Sequence, residues 1–229
     1  MNTRTRIKIC GLTRNEDLQA AVAAGADALG FVFYPKSPRY VSLENAASLV
    51  AAVPPFITTV GLFVNATVTE VEETLRRVPV SILQFHGDET LEECVSLAQA
   101  VGRPFMRAVR MHPEMTGADL IKYEESYRAA STLFAGLLLD AYVEGYGGGG
   151  KVFDWSLIPK ELAPRVVLSG GLSVQNATEA VLQVRPHAVD ISSGVEQSKG
   201  IKDPAKIRSF IAAVRRADAE SSNDQRVLP

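Results

Sequence analysis

The sequence predicts an α/β protein built as one single-domain (β/α)8 TIM barrel. Three observations lead there. Short apolar runs alternate with amphipathic stretches along the whole chain. The unit occurs eight times, with no linker between copies. The length, 229 residues, matches the roughly 200 to 250 residues that such barrels use as one domain. Repeated strand–helix units imply parallel strands joined by right-handed crossovers, and eight of them close naturally on themselves. The alternative is an open doubly wound sheet, which usually has fewer strands. The domain is expected to span 1–229, with a polar tail from about 218 that frays.

The first strand, 6–11, carries the alternation Ile7-Lys8-Ile9-Cys10-Gly11, and a helical pattern follows at 14–24. The second, 28–33, ends on Phe33 and leads through a proline-stiffened loop to a helix at 43–52. Pro54-Pro55 then marks a turn before the strand at 57–64 and the helix at 67–77. The fourth strand, 81–86, ends in Phe85-His86, and its helix follows at 89–101. The fifth pair lies at 105–110 and 118–128. Leu137-Leu138-Leu139-Asp140 closes the sixth strand, 135–140, and a glycine run precedes a helical pattern at 156–161. The seventh pair is 165–170 with 174–183, and the eighth is 188–192 with 204–216.

Hydrophobic residues make up 46% of the chain, enough for a substantial core, while charged residues, 22%, are ordinary. A net charge of −2 argues against a nucleic-acid partner. Cys10 and Cys94 are too few for a disulfide framework, and free thiols fit a reducing cytoplasm. The polar N-terminus does not resemble a signal peptide, and no apolar run reaches the roughly 18 residues of a membrane span. A monomer and a homodimer are both compatible with the sequence.

Ligands of such barrels bind at the carboxyl ends of the strands. The candidate residues there are polar or small where the preceding runs are greasy. Cys10 stands at the end of the first strand, with Lys8 on the same face by alternation. As a residue type a lone cysteine is usually a small buried hydrophobe, but this position turns it toward the mouth. Asp140 after three leucines is costly to bury unless it meets a wet cleft or a partner. A thiol and a carboxyl at one sheet edge are equipment for proton transfer. Leu168-Ser169-Gly170-Gly171-Leu172 and Asp190-Ile191-Ser192-Ser193-Gly194-Val195-Glu196 end the last two strands. Each glycine could serve a tight turn alone, but small residues after these two strands together favour backbone N–H groups approaching a phosphate. Tyr146 with Gly147 to Gly150 reads either as a further phosphate loop or as a connector, and it lacks the spacing of a Walker loop. Arg39 sits in Tyr34-Pro35-Lys36-Ser37-Pro38-Arg39, where it can grip a carboxylate or simply be solvated. His86 can bind substrate or cap the next helix. Cys94, inside a helix, reads as packing. The three histidines are scattered and fit no metal spacing.

Taken together, KICGLTR at 8–14, GADALGFVFYPKSPRYV at 25–41, HGDE at 86–89, GGGGKVFDW at 147–155, LSGGL at 168–172 and DISSGVE at 190–196 resemble the phosphoribosylanthranilate isomerase family of tryptophan biosynthesis. The resemblance runs from about residue 6 to 212. It implies a (β/α)8 barrel and an Amadori rearrangement of N-(5-phosphoribosyl)anthranilate, a small phosphosugar, with no cofactor and no metal. It places the general acid on Asp140, the base on Cys10 and the carboxylate-holding arginine on Arg39. Substrate contacts fall on Gly148, Gly150, Gly171, Asp190, Ser193 and Gly194. Such an acid must be protonated at the start, which asks for a raised pKa. Such a base must be a thiolate, and an ordinary thiol near pKa 8.5 is only a few per cent ionised at neutral pH. Two departures stand out. The family often has a threonine where this chain has Gly149, and a leucine where it has Phe85, a side chain expected to point out of the barrel. Two other readings are weaker. A histidine-pathway ProFAR isomerase would show an aspartate at the end of the first strand, where Cys10 stands, and a non-catalytic phosphosugar binder would not need the retained thiol and carboxyl.

Overall fold

A computed structural model of the chain describes residues 4–142 and 152–224. Eight parallel strands hydrogen-bond in chain order and close into a barrel. They are β1 (Arg6–Cys10), β2 (Ala28–Val32), β3 (Thr58–Phe63), β4 (Ile82–Phe85), β5 (Phe105–Met111), β6 (Phe134–Ala141), β7 (Val167–Leu168) and β8 (Ala188–Ile191). The closing pair sets Lys8 of β1 opposite Asp190 of β8. On the other side Cys10 lies opposite Gly30 of β2.

Side-chain alternation sorts each strand into two cores. Outward residues such as Ile7, Ile9, Leu29, Phe31, Phe85, Leu137 and Leu139 pack under the helices. Phe85 points outward as expected and meets Phe105 with ring centroids 5.6 Å apart. Inward residues form a smaller core of Val60, Met106, Ala108, Leu138, Val167 and Ala188. This plug fills the barrel below the mouth, so the inward residues above it, nearer the strand ends, face the opening.

The helices are α1 (Asn15–Ala24), α2 (Leu43–Ala51), α3 (Val68–Arg77), α4 (Leu91–Val101), α5 (Gly117–Ala130), α6 (Ala177–Val184) and α7 (Pro204–Asp224). Ser42, Thr67, Thr90 and Thr116 accept the backbone N–H three residues on and start α2 to α5. Each such cap stabilises by about 1 kcal/mol. Thr90 caps α4, so His86 is left for other work.

Three features depart from the predicted elements. The sixth repeat has no α-helix at 156–161. The chain makes 3-10 turns at Trp155–Leu157 and Ala163–Arg165 instead. Pro159 and Pro164 supply no N–H for a helical ladder there. Strand seven is short, because Gly170 and Gly171 take φ of +80° and +65°, which no strand continues. Beyond β8 an unpredicted antiparallel hairpin, β9 (Glu196–Ser198) and β10 (Ile201–Lys202), folds over the mouth. Its turn residue Gly200 has φ +80°, and a Cβ there would sit 2.7 Å from the Pro38 carbonyl oxygen. The hairpin is therefore seated on the loop that carries Arg39.

The opposite end of the barrel is stitched by charges. The Thr5 N–H donates to Asp218 at 3.0 and 3.1 Å, and the Thr5 hydroxyl adds a 2.7 Å bond. Arg215 donates to the Thr5 carbonyl at 2.7 Å and to Asp27 at 3.2 Å. The same Asp27 oxygen accepts the Ile7 N–H at 2.9 Å. First strand and last helix are thus joined directly.

Candidate active site

Cys10 ends β1 with its side chain turned into the barrel and only 5% exposed. Its closest neighbour across the strand is Gly30, where a Cβ would lie 2.8 Å from the thiol sulfur. Any side chain at 30 would displace the thiol. Lys8, one alternation below, is fully enclosed. Its ammonium donates to Asp190 Oδ1 at 2.9 Å and lies within electrostatic reach of the thiol. Burial pulls Lys8 down, but Asp190 and Cys10 outweigh it and leave the ammonium raised. Burial likewise pushes the Cys10 thiol up; Lys8 and Lys202 pull it back and Asp190 pushes it further up. The net direction is upward, so an ionised thiol here depends on its two ammoniums.

Asp140 lies on β6 near its end, also facing inward and 7% exposed. Both of its oxygens are engaged. Oδ1 accepts the Ala141 N–H at 3.0 Å, and Oδ2 lies 3.1 Å from His86 Nε2. His86 Nδ1 is in turn 3.0 Å from the Gln84 amide nitrogen. Either tautomer of the imidazole fits this chain of contacts, so Nε2 can accept from a protonated Asp140 or donate to its carboxylate. Gly170 lets the next loop pass, since a Cβ there would lie 2.9 Å from Asp140 Oδ1 and 2.2 Å from the Ala141 nitrogen. The turn carrying His86 is braced from below. Buried Arg107 donates to the carbonyls of Phe85 and Gly87 at 3.3 and 3.1 Å and to Glu89 at 2.7 Å. Glu89 also accepts the Gly87 and Asn65 N–H groups at 2.8 and 2.7 Å.

Arg39 reaches the mouth over Gly11. A Cβ on Gly11 would come within 2.6 Å of Arg39 Cδ, and its φ of +77° suits only glycine. The guanidinium is taken by Glu196 in a two-pronged pair, Nε to Oε1 at 2.7 Å and Nη2 to Oε2 at 2.9 Å. The two glycine loops also meet. A Cβ on Gly194 would lie 2.1 Å from the Leu172 carbonyl, so the loop after β8 rests on the loop after β7 that carries Gly171. Ser193 opens a 3-10 turn, Ser193–Val195, whose first N–H groups have no acceptor within the turn. Gly148 and Gly150 lie outside the described residues.

The fold therefore gathers Cys10, Asp190 and Arg39 on one side of the mouth, Gly171, Ser193 and Gly194 along its rim, and Asp140 with His86 across it. The sequence reading passed over two residues. Lys202 has no solvent exposure, and its ammonium donates to Glu196 Oε1 at 3.0 Å and to the Ser192 carbonyl at 3.1 Å. Glu196 completes this cluster. The turn sequence Ser198-Lys199-Gly200 folds 202 back beside 196, but nothing local marks either side chain as buried. No His/Cys/Asp/Glu cluster able to hold a metal occurs among the described residues. No helix among them is long and apolar enough to cross a membrane.

The sequence profile of the N-(5'phosphoribosyl)anthranilate (PRA) isomerase family matches residues 7–213. N-(5'-phosphoribosyl)anthranilate isomerase of Herminiimonas arsenicoxydans is 67% identical over 216 residues, spanning 94% of this chain and 95% of the relative. The crystal structure of phosphoribosyl anthranilate isomerase from Thermotoga maritima superposes with a TM-score of 0.80 at 40% identity, covering 93% of this chain and 99% of that one. A phosphoribosyl anthranilate isomerase in complex with reduced 1-(o-carboxyphenylamino)-1-deoxyribulose 5-phosphate gives 0.77 at 39% identity, with 93% and 99% covered.

Proposed function

Since the chain belongs to the N-(5'-phosphoribosyl)anthranilate isomerase family, we propose that its barrel performs that isomerisation with Cys10 as base and Asp140 as acid. The protein is an enzyme of tryptophan biosynthesis. It converts N-(5-phosphoribosyl)anthranilate to 1-(2-carboxyphenylamino)-1-deoxyribulose 5-phosphate. Asp140 gives a proton to the furanose ring oxygen. The C1–O bond breaks as the anthranilate nitrogen lone pair moves in, leaving an iminium. The Cys10 thiolate takes the proton from C2, and those electrons neutralise the iminium to give an enolamine. Return of a proton during tautomerisation leaves the ketone, so substrate and product are isomers. The substrate nitrogen supplies the electron push, and neither cofactor nor metal enters any step.

The observation that carries this reading is the placement of a thiol and a carboxyl, both buried and inward, at the carboxyl ends of β1 and β6 in one mouth. Arg39 holds the anthranilate carboxylate. The phosphate rests on the backbone at Gly171, Ser193 and Gly194. Asp190 keeps Oδ1 on Lys8 and offers its other oxygen to a sugar hydroxyl. Remote binding of phosphate and carboxylate positions C2 and the ring oxygen against the two catalytic groups. Every group named belongs to one chain, so a monomer suffices and a homodimer would add nothing to the chemistry. The free thiols suit the cytoplasm. Loss of phosphoribosylanthranilate fluorescence on adding the protein tests the reading directly; an unchanged rate of loss refutes it.

A further inference from the structure

Cys10 has a thiol that burial drives toward its neutral form, and the reaction asks it to be a thiolate. The ammoniums facing it act against that burial. Lys8 comes from its own strand β1 and Asp190 from β8; β2 contributes Gly30, which brings no charge. Lys8, the strongest downward pull, is matched by Asp190 at 2.9 Å, whose carboxylate opposes it. The remaining group is Lys202, which reaches in from β10 and draws the thiol down. Its ammonium is fixed by Ser192, whose carbonyl and hydroxyl oxygens lie at 3.1 and 3.2 Å. Ser192 in turn donates to the Cys10 carbonyl at 3.0 Å. Lys202 is therefore tied to the backbone of the residue it faces. Its counterion is Glu196 at 3.0 Å, through the same Oε1 that Arg39 Nε meets at 2.7 Å. One carboxylate is thus shared by two cations.

We propose that Lys202 is a positioning residue for Cys10, its buried positive charge holding the thiolate, and that Glu196 ties it to Arg39 so that base and carboxylate clamp are set by one carboxylate. The proposal rests on the reading of Cys10 as the base. It explains why a lysine with no exposure is kept at a site where burial alone lowers its affinity for a proton. An ammonium buried beside a thiol stabilises the ionised form of the thiol and is itself stabilised by it.

The test is the pH dependence of Cys10 alkylation by iodoacetamide, with no substrate present and the modified residue read by peptide mass spectrometry. Lys202→Met should raise the midpoint by about one pH unit, which slows alkylation about tenfold at neutral pH. kcat should fall in parallel. Glu196→Gln removes the countercharge and should move the midpoint the other way, while KM rises because Arg39 loses its brace. Lys202→Arg keeps the charge and should keep the midpoint near wild type. Midpoints that stay put, or that move in the same direction in Lys202→Met and Glu196→Gln, overturn the proposal. If Lys202→Met fails to fold, Glu196→Gln and Lys202→Arg still decide it. Because alkylation needs no turnover, a fully active Cys10→Ser variant would remove the base assignment without deciding this result.

Discussion

Cys10→Ser replaces the thiol by a hydroxyl of much higher pKa in the same volume. Turnover should fall by about 10²- to 10⁴-fold, the range of general-base catalysis, with substrate affinity and fold kept. Wild-type turnover by the serine variant would sink the assignment. Asp140→Asn keeps the shape and an oxygen for the Ala141 N–H but has no acidic proton to give. It should abolish turnover while a product analogue still binds tightly. If thermal stability drops instead and turnover per folded molecule persists, Asp140 is only a loop anchor. Both residues were legible because a strand end announces itself: alternation stops, and a reactive group follows greasy neighbours. Lys202 was not, because a lone lysine after a turn looks like any solvated cation. Only its 0% exposure and its shared carboxylate single it out. His86 stands out at its strand end, but its partner Asp140 is 54 positions away, and no local pattern links them.

At the scale of elements, the loop after β2 and the β9–β10 hairpin act as one device around Arg39. Arg39→Ala should weaken substrate binding by about 1.5 to 3 kcal/mol, the worth of a charged hydrogen bond. An analogue without the carboxylate should then bind both forms alike. The variant should not discriminate against that analogue as wild type does; if it does, another group reads the carboxylate. The β4 turn makes a second unit. Arg107→Leu would strand the buried Glu89 and release two carbonyls, at a cost of about 3 to 5 kcal/mol. Urea unfolding measures that loss. kcat should fall as well, because His86 rides on the same turn; an unchanged kcat would uncouple the brace from Asp140. Seven of the predicted helical patterns appear as helices, because each carries an apolar stripe of its own. The sixth failed where Pro159 and Pro164 interrupt a promising run. The hairpin escaped notice because its two strands of three and two residues are too short to show a period.

For the molecule as a whole, ionisation limits stability from both sides. Glu196 titrates below its ordinary value of 4.5: burial raises it, and Arg39 and Lys202 more than reverse that. A depressed carboxyl contributes stability that is present above its unfolded value and is lost as pH falls through the folded one. Tm should therefore decline in acid below about 4.5, and Glu196→Gln should flatten part of the decline. Cys94 acts oppositely, since burial pushes its thiol from 9.0 up to about 11. Its contribution is full below 9.0 and is lost as pH rises toward 11. That loss is on the order of 2 kcal/mol. Cys94→Ala should lower Tm at neutral pH by opening a small cavity yet decline less steeply in alkali; equal alkaline slopes would assign the effect elsewhere. The seam between Thr5 and Asp218 bears on how the molecule comes into being on the ribosome. The two residues are 213 positions apart, and the barrel cannot close until both exist. Cys10 likewise waits for Lys202. At synthesis rates of about 5 to 20 residues per second, the first strand stands without its last neighbours for roughly 10 to 40 s. Through that interval β1 has an open edge and the thiol lacks its buried ammonium from β10. The nascent chain thus acquires its closed wall and its chemistry late, and nearly together.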